Sequence, residues 1–166
     1  PPPVLLLIQQ ILLRGKYLTS LLYDSRSNTS LITRALAKLL NLPKKKIGCW
    51  VTVATKDPEF LETCVYEMVF PVVQSNGREW TKKITLYEVP GEITSAPQQV
   101  DVSAANMLFP GVPSGSLDRP TQHVGILLGM DCCDVMPIGG DTQIGGRQGN
   151  LVCMRTILGG SRYILG

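Results

Sequence analysis

The residues best suited to chemistry stand together near the start of the chain. Asp24, Ser25 and Arg26 lie within LLYDSRSNTSLITRALAKLLNL, positions 21–42. An aspartate that closes an apolar run and is followed by hydroxyl side chains can act as a general acid or base when its surroundings set its protonation. The same residue can simply turn the chain or cap a helix, and Ser27, Asn28 and Thr29 compete for that role. The elements around it decide between the two.

Elsewhere the candidates are thinner. Asp131 and Asp134 form a carboxylate pair on paper, but they directly follow an apolar strand and are not expected to be catalytic. The five cysteines, Cys49, Cys64, Cys132, Cys133 and Cys153, make neither a CxxC nor a metal-ligand spacing with the lone His123. They read as reduced thiols of an intracellular, cytoplasmic protein, buried more often than reactive. His123 reads as a strand-edge residue, and neither metal nor cofactor is expected. Lys44-Lys45-Lys46 is the one compact basic run in a chain of formal net charge +3. Without aromatic or glycine interleaving it reads as a solvated loop, so nucleic acid is not an expected partner.

The elements that must position Asp24 follow from periodicity. Val4 to Leu13 reads as a strand, Arg14-Gly15-Lys16 as a turn, and Tyr17 to Tyr23 as the returning strand, which places Asp24 at a strand end. From Thr29 the apolar positions Leu31, Ile32, Ala35, Leu36, Leu39 and Leu40 recur at three- and four-residue spacing. They predict one short helix ending near Asn41, before Pro43. Cys49 to Ala54 and Thr63 to Gln74 read as the strands of a long hairpin over about 49–74, turned at Asp57-Pro58. Asn76-Gly77 is a strong hairpin signal, and EWTKKITLYEVP continues as a strand. Residues 91–122 carry Pro97, Pro110, Pro113 and Pro120 with little periodicity and read as either a wrapping arm or a functional segment. Val124 to Leu128 is a buried strand ending at Gly129, and GNLVCMRTILGGSRYILG offers two short strands more.

With 166 residues, 44% of them apolar, and with 12 prolines and 16 glycines, the chain suits a single mainly β domain over 1–166. The apolar start PPPVLLLIQQILLRGK is broken by Gln9-Gln10 and Arg14-Gly15-Lys16. It is expected to be neither a membrane span nor a signal peptide.

Two of these features, an aspartate after a strand and a later Leu-Leu-Gly strand about a hundred residues on, resemble the paired signatures of retropepsin-type aspartic proteases. LLYDSRSNTSLITRALAKLLNLP is similar to the corresponding stretch in the protease domain of Pao/BEL-type LTR retrotransposon polyproteins (peptidase A17-like). So are VDVSAANMLFPGVPSGSLDRPTQHVGILLGMDCCDVMP and the closing GNLVCMRTILGGSRYILG. The resemblance covers nearly the whole chain and rests on the order of its elements.

The resemblance implies a closed β-barrel of the acid protease fold with one short helix, working as a dimer with its active site on the two-fold axis. Asp24 of each protomer would form the dyad, and Ser25 would brace it across the interface. Two carboxylates sharing a site cannot both ionise cheaply, so the pair holds one proton and supplies base and acid together. Thr55, Lys56, Asp57, Pro58 and Glu59 would be the tip of a flap over a peptide or polyprotein substrate, and Ile126, Leu127, Leu128 and Gly129 would lie beneath the active-site loop. The partner would be a second copy or a paralogue, with no membrane involved.

Arg26 departs from this pattern, because it replaces the glycine that such a cleft needs for close backbone approach. Its charge near a dyad would also favour ionised carboxylates over a shared proton. The flap region VATKDPEFLE has no glycine, and Pro58 stiffens it. The expectation is therefore a dimeric retropepsin-like domain with weak or lost proteolysis and a protein-interaction role. The alternatives are a working aspartic endopeptidase that processes its own retroelement polyprotein and an unrelated β-rich binding domain.

Overall fold

Two strands open the structure. β1 (Leu7–Leu13) and β2 (Tyr17–Tyr23) pair antiparallel from Leu7 opposite Tyr23 to Leu13 opposite Tyr17. Arg14 and Gly15 take positive φ, 53° and 65°, and the Lys16 N–H donates to the Leu13 carbonyl at 3.0 Å to close the turn. The computed structural model describes residues 6–51, 57, 59–94, 101–113, 117, 123–137, 143–148, 151–159 and 162–166.

The segment after Asp24 is not the single helix its periodicity predicts. Leu31–Thr33 is a strand, β3, and only Arg34–Leu39 is helical, α1. Ile32 and Thr33 are β-branched and suit a pleated surface, and Ile32 is fully buried between two neighbouring strands. Thr33 then caps the helix, its hydroxyl accepting from the Leu36 N–H at 3.2 Å. Tertiary pairing thus takes three residues from a pattern that reads as helix throughout.

β4 (Lys45–Val51), β5 (Glu59–Val73) and β6 (Glu79–Val89) form an antiparallel meander. The long hairpin exists, but its strands begin four residues earlier than the sequence indicates, at Lys45 and Glu59. Gly77 takes φ 84° in the turn before β6. β5 changes partner along its length: Glu59 to Val65 pair with β4, whereas near its far end Val72 bridges Leu158 and the Val73 N–H donates to the Ile157 carbonyl. Pro71 lies in that second half, away from the β4 ladder, where its missing N–H costs least.

β7 (Val124–Leu128) is buried at every residue and leads into a 3₁₀ turn, Met130–Cys132. It pairs parallel with β2 and antiparallel with β3, and β3 pairs parallel with β6. The resulting sheet is mixed and open, in the order β1-β2-β7-β3-β6-β5-β4. A second sheet holds β8 (Gln143–Gln148), β9 (Leu151–Thr156) and β10 (Arg162–Leu165) in the order β10-β9-β8. The architecture is mainly β, as the sequence indicates, but the described strands make two open sheets and no closed barrel.

The arm also differs from expectation. Within 91–122 there is a second helix, α2 (Val102–Leu108), capped by Asp101, whose carboxylate accepts from the Ala104 N–H at 3.1 Å. Ala105 and Phe109 of this segment join Val112, Leu117, Cys153 and Leu165 in a small core against the second sheet. The main core lies between α1 and the seven-stranded sheet, with Leu21, Ile32, Leu86, Ile126 and Leu128 fully enclosed. A third cluster, Ile8, Leu22, Val124 and Leu127, receives Ile93 from the start of the arm.

One buried polar chain ties the sheets together. The Gln9 side chain donates from Nε2 to the Leu158 carbonyl (2.8 Å) and accepts at Oε1 from the Tyr23 hydroxyl (2.6 Å). Burial pushes the Tyr23 hydroxyl far above its ordinary range, against a smaller opposing contribution from a hydrogen bond with Thr156, so it stays a neutral donor. Replacing Gln9 with Leu strands the Leu158 carbonyl in the interior and should lower unfolding stability in urea by about 1–3 kcal/mol. Unchanged or raised stability would show that this chain of bonds contributes nothing to holding the sheets together.

Candidate functional site

Asp24 sits where β2 leaves the sheet. Tyr23 is still paired with Leu128, and the Asp24 N–H donates to the Leu128 carbonyl at 2.9 Å. One residue later the chain turns sharply, because Asp24 Oδ1 accepts from the Arg26 N–H at 2.9 Å and the Asp24 carbonyl accepts from the Ser27 N–H at 3.2 Å. This is an Asx-type turn built on a carboxylate. Asp24 is half-buried, while Ser25 and Arg26 are exposed at the tip.

The far side of the loop is fastened to the end of β7. The Met130 N–H donates to the Ser27 carbonyl at 2.7 Å. The Ser30 hydroxyl accepts from the Gly129 N–H (3.1 Å) and donates to Asp131 Oδ1 (2.7 Å), while the Ser30 N–H reaches Asp131 Oδ2 (3.2 Å). Ser27 adds an internal bond, its hydroxyl donating to the Thr29 carbonyl at 2.7 Å. A Cβ on Gly129 would lie 2.6 Å from the Ser27 carbonyl oxygen and 2.9 Å from both the N and O of Thr29. Only glycine lets these two backbone stretches approach so closely.

The residues singled out by sequence therefore fall into three groups. Asp24, Ser25 and Arg26 share one turn, and Ile126, Leu127, Leu128 and Gly129 are buried next to it. Thr55, Lys56 and Pro58 lie outside the described residues; Asp57 is exposed, and Glu59 is the first residue of β5, paired with Val51 of β4. Arg26 touches Asp24 through its backbone amide, and its guanidinium makes no ion pair among the described residues.

The other candidates have local duties. Asp131 anchors Ser30, and Asp134 pairs with Lys82 at 2.9 Å. His123 is exposed just before β7, its Nδ1 4.0 Å from Glu92. Cys132 and Cys153 are buried free thiols, and burial raises both above the ordinary range, Cys153 to about 11. Sequence reasoning missed the Ser30–Asp131 contact, which joins positions 101 residues apart and leaves no local signal.

A second polar cluster lies beside α1. Glu88 on β6 accepts from the buried Tyr66 hydroxyl at 2.8 Å and from Arg34 Nε at 3.2 Å. Burial works against its ionisation, but these two hydrogen bonds, with the charges of Arg34 and Lys44, outweigh it and hold the carboxyl below its ordinary value. Burial first, and then Glu88 itself, push the Tyr66 hydroxyl well above its usual range.

No family model, curated protein or solved structure matches the chain. Among the described residues no helix is long and apolar enough to cross a membrane, and no group of three or more His, Cys, Asp or Glu could hold a metal ion.

Two measurements follow. Gly129→Ala forces backbone against backbone and should cost about 1–3 kcal/mol in chemical unfolding, whereas Ala at the exposed Ser25 should change stability by less than about 0.5 kcal/mol. Equal effects would show that the loop is not tightly seated. Because the folded Glu88 carboxyl is held low, its stabilisation is complete above the ordinary carboxylate range and is lost as pH falls through the folded value. The melting-temperature deficit of Glu88→Gln should accordingly be present near pH 7 and shrink towards about pH 3. A deficit independent of pH would contradict it.

Proposed function

We propose that this chain is a retropepsin-like domain of retrotransposon origin, in which Asp24 of two protomers meets at a two-fold axis. Arg26 has weakened or removed its proteolysis, so that the domain serves dimerisation and protein interaction. The observation that carries the reading is the seating of the Asp24 turn on the end of β7. The Asp24 and Met130 amides bond across the two segments, and Gly129 admits no side chain. These long-range restraints hold the turn rigid, which is what a carboxylate that must meet a partner's carboxylate requires.

A dyad requires two copies, since the chain brings one such aspartate. The two-fold axis places identical groups face to face in a self-complementary interface. With Arg26 and its symmetry mate at the exposed tips beside the pair, a cleft would carry two guanidiniums where a peptide backbone must approach. Both bulk and charge then oppose hydrolysis.

The second reading is an active aspartic endopeptidase that cleaves a polyprotein. It is favoured by one detail: among the described residues the Arg26 guanidinium is not bonded to the Asp24 carboxylate, which accepts from the Arg26 backbone N–H. In that case one carboxylate of the dyad takes a proton from water while the other, protonated, polarises the scissile carbonyl.

Sedimentation and peptide cleavage on one sample separate the readings. Wild type should sediment as a dimer and cut a broad peptide library weakly or not at all between about pH 4 and 7. Arg26→Gly should raise cleavage by about tenfold or more, and Asp24→Asn in that background should abolish it. Robust wild-type cleavage lost in Asp24→Asn would establish the second reading. A monomer, or cleavage that survives Asp24→Asn, would overturn both.

A further inference from the structure

Around α1, on a different part of the domain from Asp24, three cations converge on one cavity. It has a volume of about 470 Å³ and lies between α1, the segment leading to β4, and the adjoining parts of β5 and β6. Arg34 and Lys38 are one turn apart on α1, and Lys44 comes from the segment after it. Like charges at i and i+4 repel by a few tenths of a kcal/mol in a helix this exposed. Lys38 also sits in the last turn, where a cation is favourable, but Arg34 at the opposite end of the same face is not explained by that.

Glu88 is the one carboxylate among the described residues that line the cavity. Both of its oxygens are already engaged, one by Tyr66 and the other by Arg34 Nε. Three cations against one carboxylate leave a surplus of two positive charges. The terminal amino groups of Arg34 and the side chains of Lys38 and Asn41 have no hydrogen-bond or ion-pair partner among the described residues, and Lys44 meets Glu88 through its charge without a hydrogen bond. These donors surround walls that are apolar or aromatic, formed by the buried Ala37, Leu42 and Tyr66.

We propose that this cavity binds a phosphate monoester, with the dianionic phosphate among Arg34, Lys38 and Lys44 and the organic group against Ala37, Leu42 and Tyr66. A phosphate carries about −1.5 to −2 charges near neutral pH, which matches the surplus. The guanidinium fork and two ammonium groups are the donors suited to its oxygens. Glu88 positions the fork by holding Arg34 at Nε, and Tyr66 holds Glu88 in turn. The cavity is larger than a bare phosphate needs, so an ester with an apolar or aromatic body fits it better than the inorganic ion. The site does not depend on the proteolytic reading of Asp24.

Titration of the full chain with phenyl phosphate, followed by amide shifts and calorimetry, tests this directly. Saturable shifts should appear at Ala37, Lys38, Leu42 and Tyr66, with inorganic phosphate binding more weakly and benzyl alcohol not at all. Lys38→Ala and Lys44→Ala, both at exposed positions, should each weaken phenyl phosphate by about tenfold, the loss of one charge-assisted contact. Lys83→Ala, which removes an exposed lysine on β6, should leave affinity unchanged. Absence of saturation at millimolar phenyl phosphate would overturn the proposal, as would equal loss in Lys83→Ala. Tight binding of a single-stranded oligonucleotide without phenyl phosphate binding would also overturn it and assign the cations to nucleic acid.

Discussion

Everything near Asp24 follows from the place of β7 in the sheet. β7 hydrogen-bonds on one side to β2 and on the other to β3, strands that follow each other closely in the chain. The connection between β2 and β3 must therefore cross the end of β7 instead of turning back as a hairpin. That crossing carries Asp24 and runs directly over Gly129, where the clearance is too small for a Cβ. Because β7 is buried along its whole length, the crossing cannot slide sideways without exposing apolar surface or breaking a ladder. The site is thus an outcome of strand order before it is an outcome of side chains.

Polar bonds then turn a crossing into a fixed one. A backbone stretch that leaves a sheet gives up ladder partners, and groups left dry would each cost about 1–3 kcal/mol. Leu128 and Ser27 carbonyls, the Gly129 amide and the Ser30 hydroxyl answer one another across the gap. Asp131 completes the set from beyond the strand end. The Gln9 chain does the same service where β1 meets the segment that follows β9. In both places a side chain from one segment satisfies a backbone group of another that is distant in sequence.

This division explains what could be read from sequence. β2 and β7 appear there with the bounds that the structure gives, because each is an apolar run closed by an obvious stop, Asp24 in one case and Gly129 in the other. β3 could not be separated from α1, since Leu31 and Ile32 continue the helical spacing and only pairing with β6 and β7 removes them from it. β8 hides behind Gly145-Gly146, which coincide with a shift of register against β9. α2 is short and sits among prolines, so Asp101 as cap was its only clear mark. Asp24 was legible as a candidate, but its support from Ser30 and Asp131 belongs to tertiary structure alone.

Arg26 and Gly129 show how differently folding and chemistry constrain neighbouring positions. At 129 the fold itself demands glycine, because backbone atoms of Ser27 and Thr29 fill the space a side chain would need. At 26 the fold asks only for an N–H, which every residue except proline provides, and Arg26 meets that demand without a positive φ. The turn is therefore buildable with either residue, and without a positive φ glycine would only cost about 0.4–1 kcal/mol through the freedom of the unfolded chain. Any demand for glycine at 26 must come from what approaches the exposed tip, a substrate backbone above all. On the proposed reading, exchange of that glycine for arginine is a change that a protein could accept without loss of fold once cleavage was no longer required of it.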